Sequence, residues 1–157
     1  MTRTVAALLA LSVGTAGTAA LADGTRQTTA EIIVPESWQE IYERWRFAPA
    51  VKVGNTIYLS GVVGGIRDDL PGDDMTAGFT RTFEAIAETL EQAGASWDDV
   101  VEMTTYHTDV VGQMAAFRQV KDRFVRAPYP AWTAIDVDRL VPDNGLVEIR
   151  VIAVISE

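Results

Sequence analysis

Leu146-Val147-Glu148-Ile149-Arg150-Val151-Ile152-Ala153-Val154-Ile155 is the longest β-type run in the chain, and its alternation decides the fold class. Val147, Ile149, Val151, Ala153 and Ile155 fall on one face and Glu148 and Arg150 on the other, the period of two expected of a strand buried on one side. The second face is not purely polar, because Ile152 and Val154 share it with the two charges. An apolar pair there is expected to lie against another subunit.

Upstream of this strand the periods alternate between two and 3.6. Thr133 to Val137 reads as a strand. Met114, Phe117, Val120, Lys121 and Phe124 repeat at helical spacing and stop before Pro128, which cannot continue a helix. Val100 to Thr108 is β-branched and aromatic. Strict alternation puts Val101, Met103, Thr105 and His107 on one face and Val100, Glu102, Thr104, Tyr106 and Thr108 on the other. Met75, Phe79, Phe83, Ile86 and Leu90 form one stripe of an amphipathic helix, with acids at its start and Gly94 as its left-handed terminator. Val51-Lys52-Val53 and Ile57-Tyr58-Leu59-Ser60-Gly61 flank Gly54-Asn55 as a hairpin. Residues 23–46 read as an N-terminal arm with a short Ile32-Ile33-Val34 run. Within it, Ser37-Trp38-Gln39-Glu40 reads as a capping box opening a helical stretch to about Arg44. The order β-β-α-β-α-β-β, without a long linker or a repeat, predicts an α+β fold: a single two-layer domain, a mixed β-sheet covered by two helices.

Composition narrows the function. The chain has 157 residues, enough for one domain, with 22 acids against 13 bases and a net charge of −9. That balance argues against nucleic acid, which rewards clustered Lys and Arg. The absence of cysteine excludes disulfides, thiolate nucleophiles, iron–sulfur centres and Cys-based zinc sites, and a single histidine excludes a His-rich metal site. No cofactor is implied. Gly64-Gly65 is a turn or bulge signal rather than a phosphate loop. Asp68, Asp69, Asp73 and Asp74 lack the spacing of a calcium loop and read as a solvated loop.

The first 22 residues read as a cleavable signal peptide. Arg3 precedes the apolar run Val5–Val13, which is well short of the roughly 20 residues that span a bilayer, and Ala20-Leu21-Ala22 supplies a small-x-small cleavage pattern. Cleavage after Ala22 leaves a periplasmic or secreted protein with no membrane segment in its mature form.

Phe47-Ala48-Pro49-Ala50-Val51-Lys52-Val53-Gly54, Ile57-Tyr58-Leu59-Ser60-Gly61, Ala93-Gly94-Ala95-Ser96-Trp97-Asp98-Asp99-Val100-Val101, Thr108-Asp109, Tyr129-Pro130-Ala131 and Val147-Glu148-Ile149, in this order and spacing, resemble the RidA (YjgF-type) family over residues 47–156. The chain is most similar to the branch carrying Pro-Ala-Trp-Thr-Ala and Tyr-His-Thr-Asp, rather than the branch in which imine deamination was defined. The resemblance implies a chorismate-mutase-like fold and a homotrimer enclosing a central barrel, with small-molecule clefts between subunits. In deaminating members those clefts hydrolyse 2-enamine and 2-imine acids to 2-keto acids and ammonia. It further implies that Glu148 orients or activates the attacking water. The carboxylate-gripping arginine of the deaminases, in Pro-Ala-Arg-Ser, falls at Trp132, followed here by Thr133. The tyrosine after the early Pro falls at Ala50.

Each candidate has a plainer reading beside the functional one. Glu148 is a water-positioning carboxylate or a surface carboxylate paired with Arg150. Trp132 is an aromatic wall over a ligand or a filler between subunits. His107 is an acid–base group or a hydrogen-bonded interior imidazole. Tyr58 and Tyr106 line the cleft or pack in core and interface. Arg118 is a substitute anion anchor or a solvated cation. Ser60 and Gly61 offer backbone N–H groups to a ligand, and no base stands in sequence reach to make Ser60 a nucleophile. Three functions follow: a cleft that binds and hydrolyses a small metabolite, a non-catalytic small-molecule binder, and a chaperone-like surface.

Overall fold

The computed structural model describes residues 24–156. The expected signal peptide, residues 1–22, lies outside them. The sheet has seven strands: β1 (Ala30–Ile33), β2 (Ala50–Val53), β3 (Thr56–Leu59), β4 (Val62–Gly65), β5 (Val100–His107), β6 (Ala131–Asp136) and β7 (Gly145–Val154). Helices are α1 (Thr25–Thr28), α2 (Gln39–Trp45), α3 (Met75–Gln92) and α4 (Val110–Phe124). The strand order is β1-β2-β3-β7-β5-β6, with β4 also paired to β7. Only β5 and β6 run parallel, which their connection through α4 permits, so the sheet is mixed as expected.

The run that decided the fold class sits at the centre. One flank of β7 pairs with β5, and the other is shared: β3 takes Ile152–Val154 and β4 takes Gly145–Ile149. The chain passes from β3 to β4 through a bend at Ser60-Gly61, where Ser60 Oγ donates to the Ala48 carbonyl at 2.7 Å and Ser60 N–H to that of Pro49 at 2.9 Å.

Both long helices lie on one face. Phe79, Phe83, Ile86 and Leu90 of α3 are fully buried with Phe117 and Val120 of α4 against Ile57, Leu59, Val147, Ile149, Val151 and Ala153. Each such side chain contributes about 1.5–3 kcal/mol of burial. Phe83 anchors an aromatic cluster with Trp97, Phe117 and Phe124 at centroid separations of 5.0, 5.6 and 5.2 Å. Two glycines allow the close fit: a Cβ on Gly64 would overlap the Thr82 hydroxyl, and one on Gly78 would lie 2.7 Å from the Gly65 carbonyl oxygen.

Several expectations need correction. The arm is part of the sheet, because β1 pairs antiparallel with β2 from Ala30↔Val53 to Ile33↔Ala50. Helix α2 forms where expected, but Ser37 does not cap it: its hydroxyl bonds Glu88 of α3 at 2.9 Å, tying the arm to the helix layer. The sequence around Gly64-Gly65 is a strand in its own right, with the bulge expected of that pair between them. In β5 a bulge between Val100 and Glu102 breaks the alternation, burying Val100 and exposing Val101.

The acid cluster is structural. Asp74 caps α3, accepting from Ala77 N–H at 2.9 Å, and Asp69 pairs with Arg67. The Arg81 guanidinium grips Asp73 at 2.7 and 2.8 Å, and the Arg67 N–H adds a third bond, holding the Asp73 carboxyl at about 2. Among the described residues no group of His, Asp and Glu side chains is placed to hold a metal ion, and no helix is long and apolar enough to cross a membrane.

Candidate functional site

Strand alternation divides the candidates between two faces of the sheet. On the face away from α3 and α4, Glu148 of β7 stands directly opposite Tyr106 of β5 and Val63 of β4. Arg150 and Ile152 follow on the same strand, with Ile152 opposite Tyr58 of β3, and Thr133 of β6 opposite Thr104. This outward face therefore gathers Glu148, Tyr106, Tyr58 and Thr133.

Gly61 belongs with them by packing. A Cβ there would fall on the Glu148 carboxylate, 2.6 Å from its Cδ and 2.8 Å from its Cγ. The glycine is the floor on which the carboxylate rests. Glu148 is half-buried, and its carboxylate has no hydrogen bond or ion pair among the described residues; Arg150 does not reach it. A carboxylate seated but unpaired keeps all its acceptor sites for a water or a ligand.

Trp132 points the other way. It stands opposite Met103 on the helix face of β6, with its ring 5.8 Å from that of Phe117. Its Nε1–H donates to Thr105 Oγ1 at 3.1 Å. The buried His107 continues the chain, with Nε2 3.1 Å from Thr105 Oγ1 and Nδ1 3.0 Å from Gln113 Oε1, while Gln113 Nε2 donates to Thr108 Oγ1 at 3.0 Å. An amide oxygen only accepts, so Nδ1 carries the hydrogen and Nε2 is left to accept from the Thr105 hydroxyl at 3.1 Å, the shorter of that hydroxyl's two acceptor contacts, the Thr133 carbonyl lying at 3.4 Å. Burial holds this imidazole below its ordinary range, against the weaker opposing pull of Gln113 and Asp136. His107 is thus a neutral, fully bonded interior group.

Beside Trp132 opens a groove of about 680 Å³ lined by Arg118, Lys121, Asp122, Arg126, Tyr129 and Pro130 among others. Lys121 is nearly buried, its Nζ 5.4 Å from the Trp132 ring centroid and bonded to Asp122 at 2.6 Å. Arg126 pairs with Asp98, whereas Arg118 makes no hydrogen bond or ion pair among the described residues and acts on Asp122 through its charge alone.

The remaining candidates are elsewhere. Ala50 is wholly buried on the core face of β2, opposite Leu59, and Ser60 is engaged in the bend. Within one chain Glu148 and Trp132 are two strands apart and on opposite faces. Sequence reasoning missed Gln113 and Thr105 as partners of His107, and Lys121 as a groove residue. Gln113 lies four residues before Phe117 on the buried stripe of α4, a position where a polar side chain signals a buried bond.

Comparison with known proteins agrees with this architecture. The chain is 33% identical over 126 residues to the RutC family protein YjgH of Escherichia coli (strain K12), covering 80% of this chain and 95% of the relative. It is 32% identical over 115 residues to a 2-iminobutanoate/2-iminopropanoate deaminase of Dermatophagoides farinae, covering 70% and 86%. Among solved structures, a YjgF/YER057c/UK114 family member from Mycobacterium tuberculosis superposes with a TM-score of 0.69 at 25% identity, covering 81% of this chain and all of that one. Residues 38–155 match the Endoribonuclease L-PSP family, and the chain belongs to it, among the RidA/YjgF/RutC proteins.

Proposed function

We propose that this chain is an exported, homotrimeric RidA-type protein that binds a small metabolite in clefts between subunits and hydrolyses an imine or enamine there. The observation that carries the reading is Glu148, seated on Gly61 on the outward face and without a hydrogen bond or ion pair among the described residues. This reading requires a second subunit: Glu148 and Trp132 lie on opposite faces of one chain, so a cleft holding both needs a neighbouring copy. Ile152, Tyr58 and Ile135 give that outward face an apolar surface for such a copy to cover.

In this reading Glu148 takes a proton from water as the oxygen attacks the imine carbon, and passes it to the nitrogen. The hydroxyl of the carbinolamine then gives its proton, through Glu148, to the amino nitrogen, the C–N bond breaks, the carbonyl forms and ammonia leaves. Trp132 replaces the arginine that would grip a carboxylate, and this favours a second reading, a binder that performs no chemistry.

An ammonia-release assay with freshly generated imines tests the pair. Glu148→Gln is expected to cut turnover by about 10²–10⁴-fold, the usual contribution of a general base, with the trimer intact by sedimentation. Full activity in that variant refutes the mechanism, and ligand binding without product in the wild type selects the second reading. N-terminal sequencing of the exported protein, expected to begin at Asp23, tests the leader.

A further inference from the structure

The indole that replaces the arginine has one polar atom, and that atom is already used. Trp132 Nε1–H points inward to Thr105 Oγ1, and Thr105, His107 and Gln113, all buried, form a bonded chain behind it. Phe117 closes both rings from the helix side, edge-on to His107 at 4.8 Å. The chain is satisfied at every link: among the described residues no buried side-chain nitrogen or oxygen is without a partner. What Trp132 offers the groove is therefore the ring and no donor.

Around that ring the charge is reversed from the rest of the molecule. In a chain with 22 acids and 13 bases, the groove carries Arg118, Lys121 and Arg126 against Asp122 alone. Lys121 and Arg126 already hold carboxylates in direct ion pairs, which leaves Arg118 as the groove cation without a direct bond among the described residues, Asp122 acting on it through charge alone. Tyr129, largely exposed, adds a second ring to the lining. A flat ring beside a guanidinium that makes no direct bond matches a ligand with a conjugated plane and a negative group on its edge.

Resting on the reading of this groove as part of the ligand site, we propose that Thr105, His107 and Gln113 are positioning residues that hold the Trp132 indole edge inward, so that the groove selects a planar, conjugated anion, its ring on Trp132 and its charge on Arg118. Small aliphatic acids meet the same cation but have no plane to stack on the ring.

The test is calorimetry on the purified full chain with three probes: nicotinate, nicotinamide, which keeps the ring and loses the charge, and cyclohexanecarboxylate, which keeps the charge and loses the plane. Nicotinate is expected to bind at least about tenfold more tightly than either, the scale of one charge-assisted hydrogen bond. It should also shift the Trp132 indole N–H resonance, assigned with Trp132→Phe. Arg118→Ala should remove the advantage over nicotinamide. Thr105→Val, or Gln113→Leu at the far end of the chain should the first not fold, should remove the advantage over cyclohexanecarboxylate. In the wild type, nitrogen NMR of the sole imidazole should show the Nδ1–H tautomer. Equal affinities for the three probes, a ring preference that survives the folded variant, or an Nε2–H tautomer overturns the proposal. Ammonia release is measured separately on the same preparation. Absent turnover with the preference intact faults the hydrolytic reading alone, and absent preference with turnover intact faults this one alone.

Discussion

Gly61→Ala separates the carboxylate's position from the stability of the fold. The added Cβ would stand 2.6 Å from Glu148 Cδ, where non-bonded carbons keep about 3.5 Å, so the carboxyl group must retreat by about 1 Å. Gly61 is not among the residues at positive φ, so the backbone accepts alanine without strain. Loss of glycine freedom in the unfolded chain stabilises by about 0.4–1 kcal/mol. Turning Glu148 off its rotamer costs about 0.5–1.5 kcal/mol, so the two nearly cancel. A catalytic group misplaced by about 1 Å, however, loses on the order of 10²-fold in rate. Urea unfolding should therefore place the variant within about 1 kcal/mol of the wild type. Ammonia release should fall about a hundredfold. Wild-type turnover in Gly61→Ala would show that the seat on Gly61 does not position a working carboxylate.

His107 gives the acid limb of stability a clean probe, being the only imidazole in the chain. Its folded value lies below the ordinary 6.5, so the unfolded chain takes the proton first, and stability present above about 6.5 falls as the pH drops towards the folded value. His107→Gln should flatten urea-derived stability between pH 7 and pH 5, and an unchanged slope would show that the imidazole is not protected. Ile152→Asp places a charge on the apolar part of the outward face and should convert the proposed trimer to monomer in sedimentation equilibrium. A trimer that persists would move the interface off this face.

Those parts of the molecule with a long, uninterrupted period were legible in the sequence. Strand β7, the stripes of α3 and α4 and the Gly54 hairpin appear because ten to eighteen residues repeat one signal. Strand β4 offers four residues, two of them glycine, and reads as a turn until β7 supplies its partner. The bulge at Val100 shifts a face that strict alternation cannot shift. Among the candidates, the inward placement of Met103, Thr105 and His107 followed from period two, and so did Glu148 facing away from the helices. The partners did not: Gln113 reaches His107 only because α4 folds back over β5, and Gly61 meets Glu148 only because the chain bends between β3 and β4. The direction of Trp132 depends on its register with Met103 in a parallel pair, which no local pattern encodes.

The central position of β7 also fixes when the molecule can form. It is made after every strand it joins, yet β3, β4 and β5 all find their partner in it. Until Gly145–Val154 is available, the hairpin and the β5–α4–β6 unit share no hydrogen-bonded ladder, and the apolar faces of α3 and α4 have only part of a sheet to lie on. Closing those long loops in one late step defers the native core until Gly145–Val154 has joined the sheet and makes its formation nearly all-or-none.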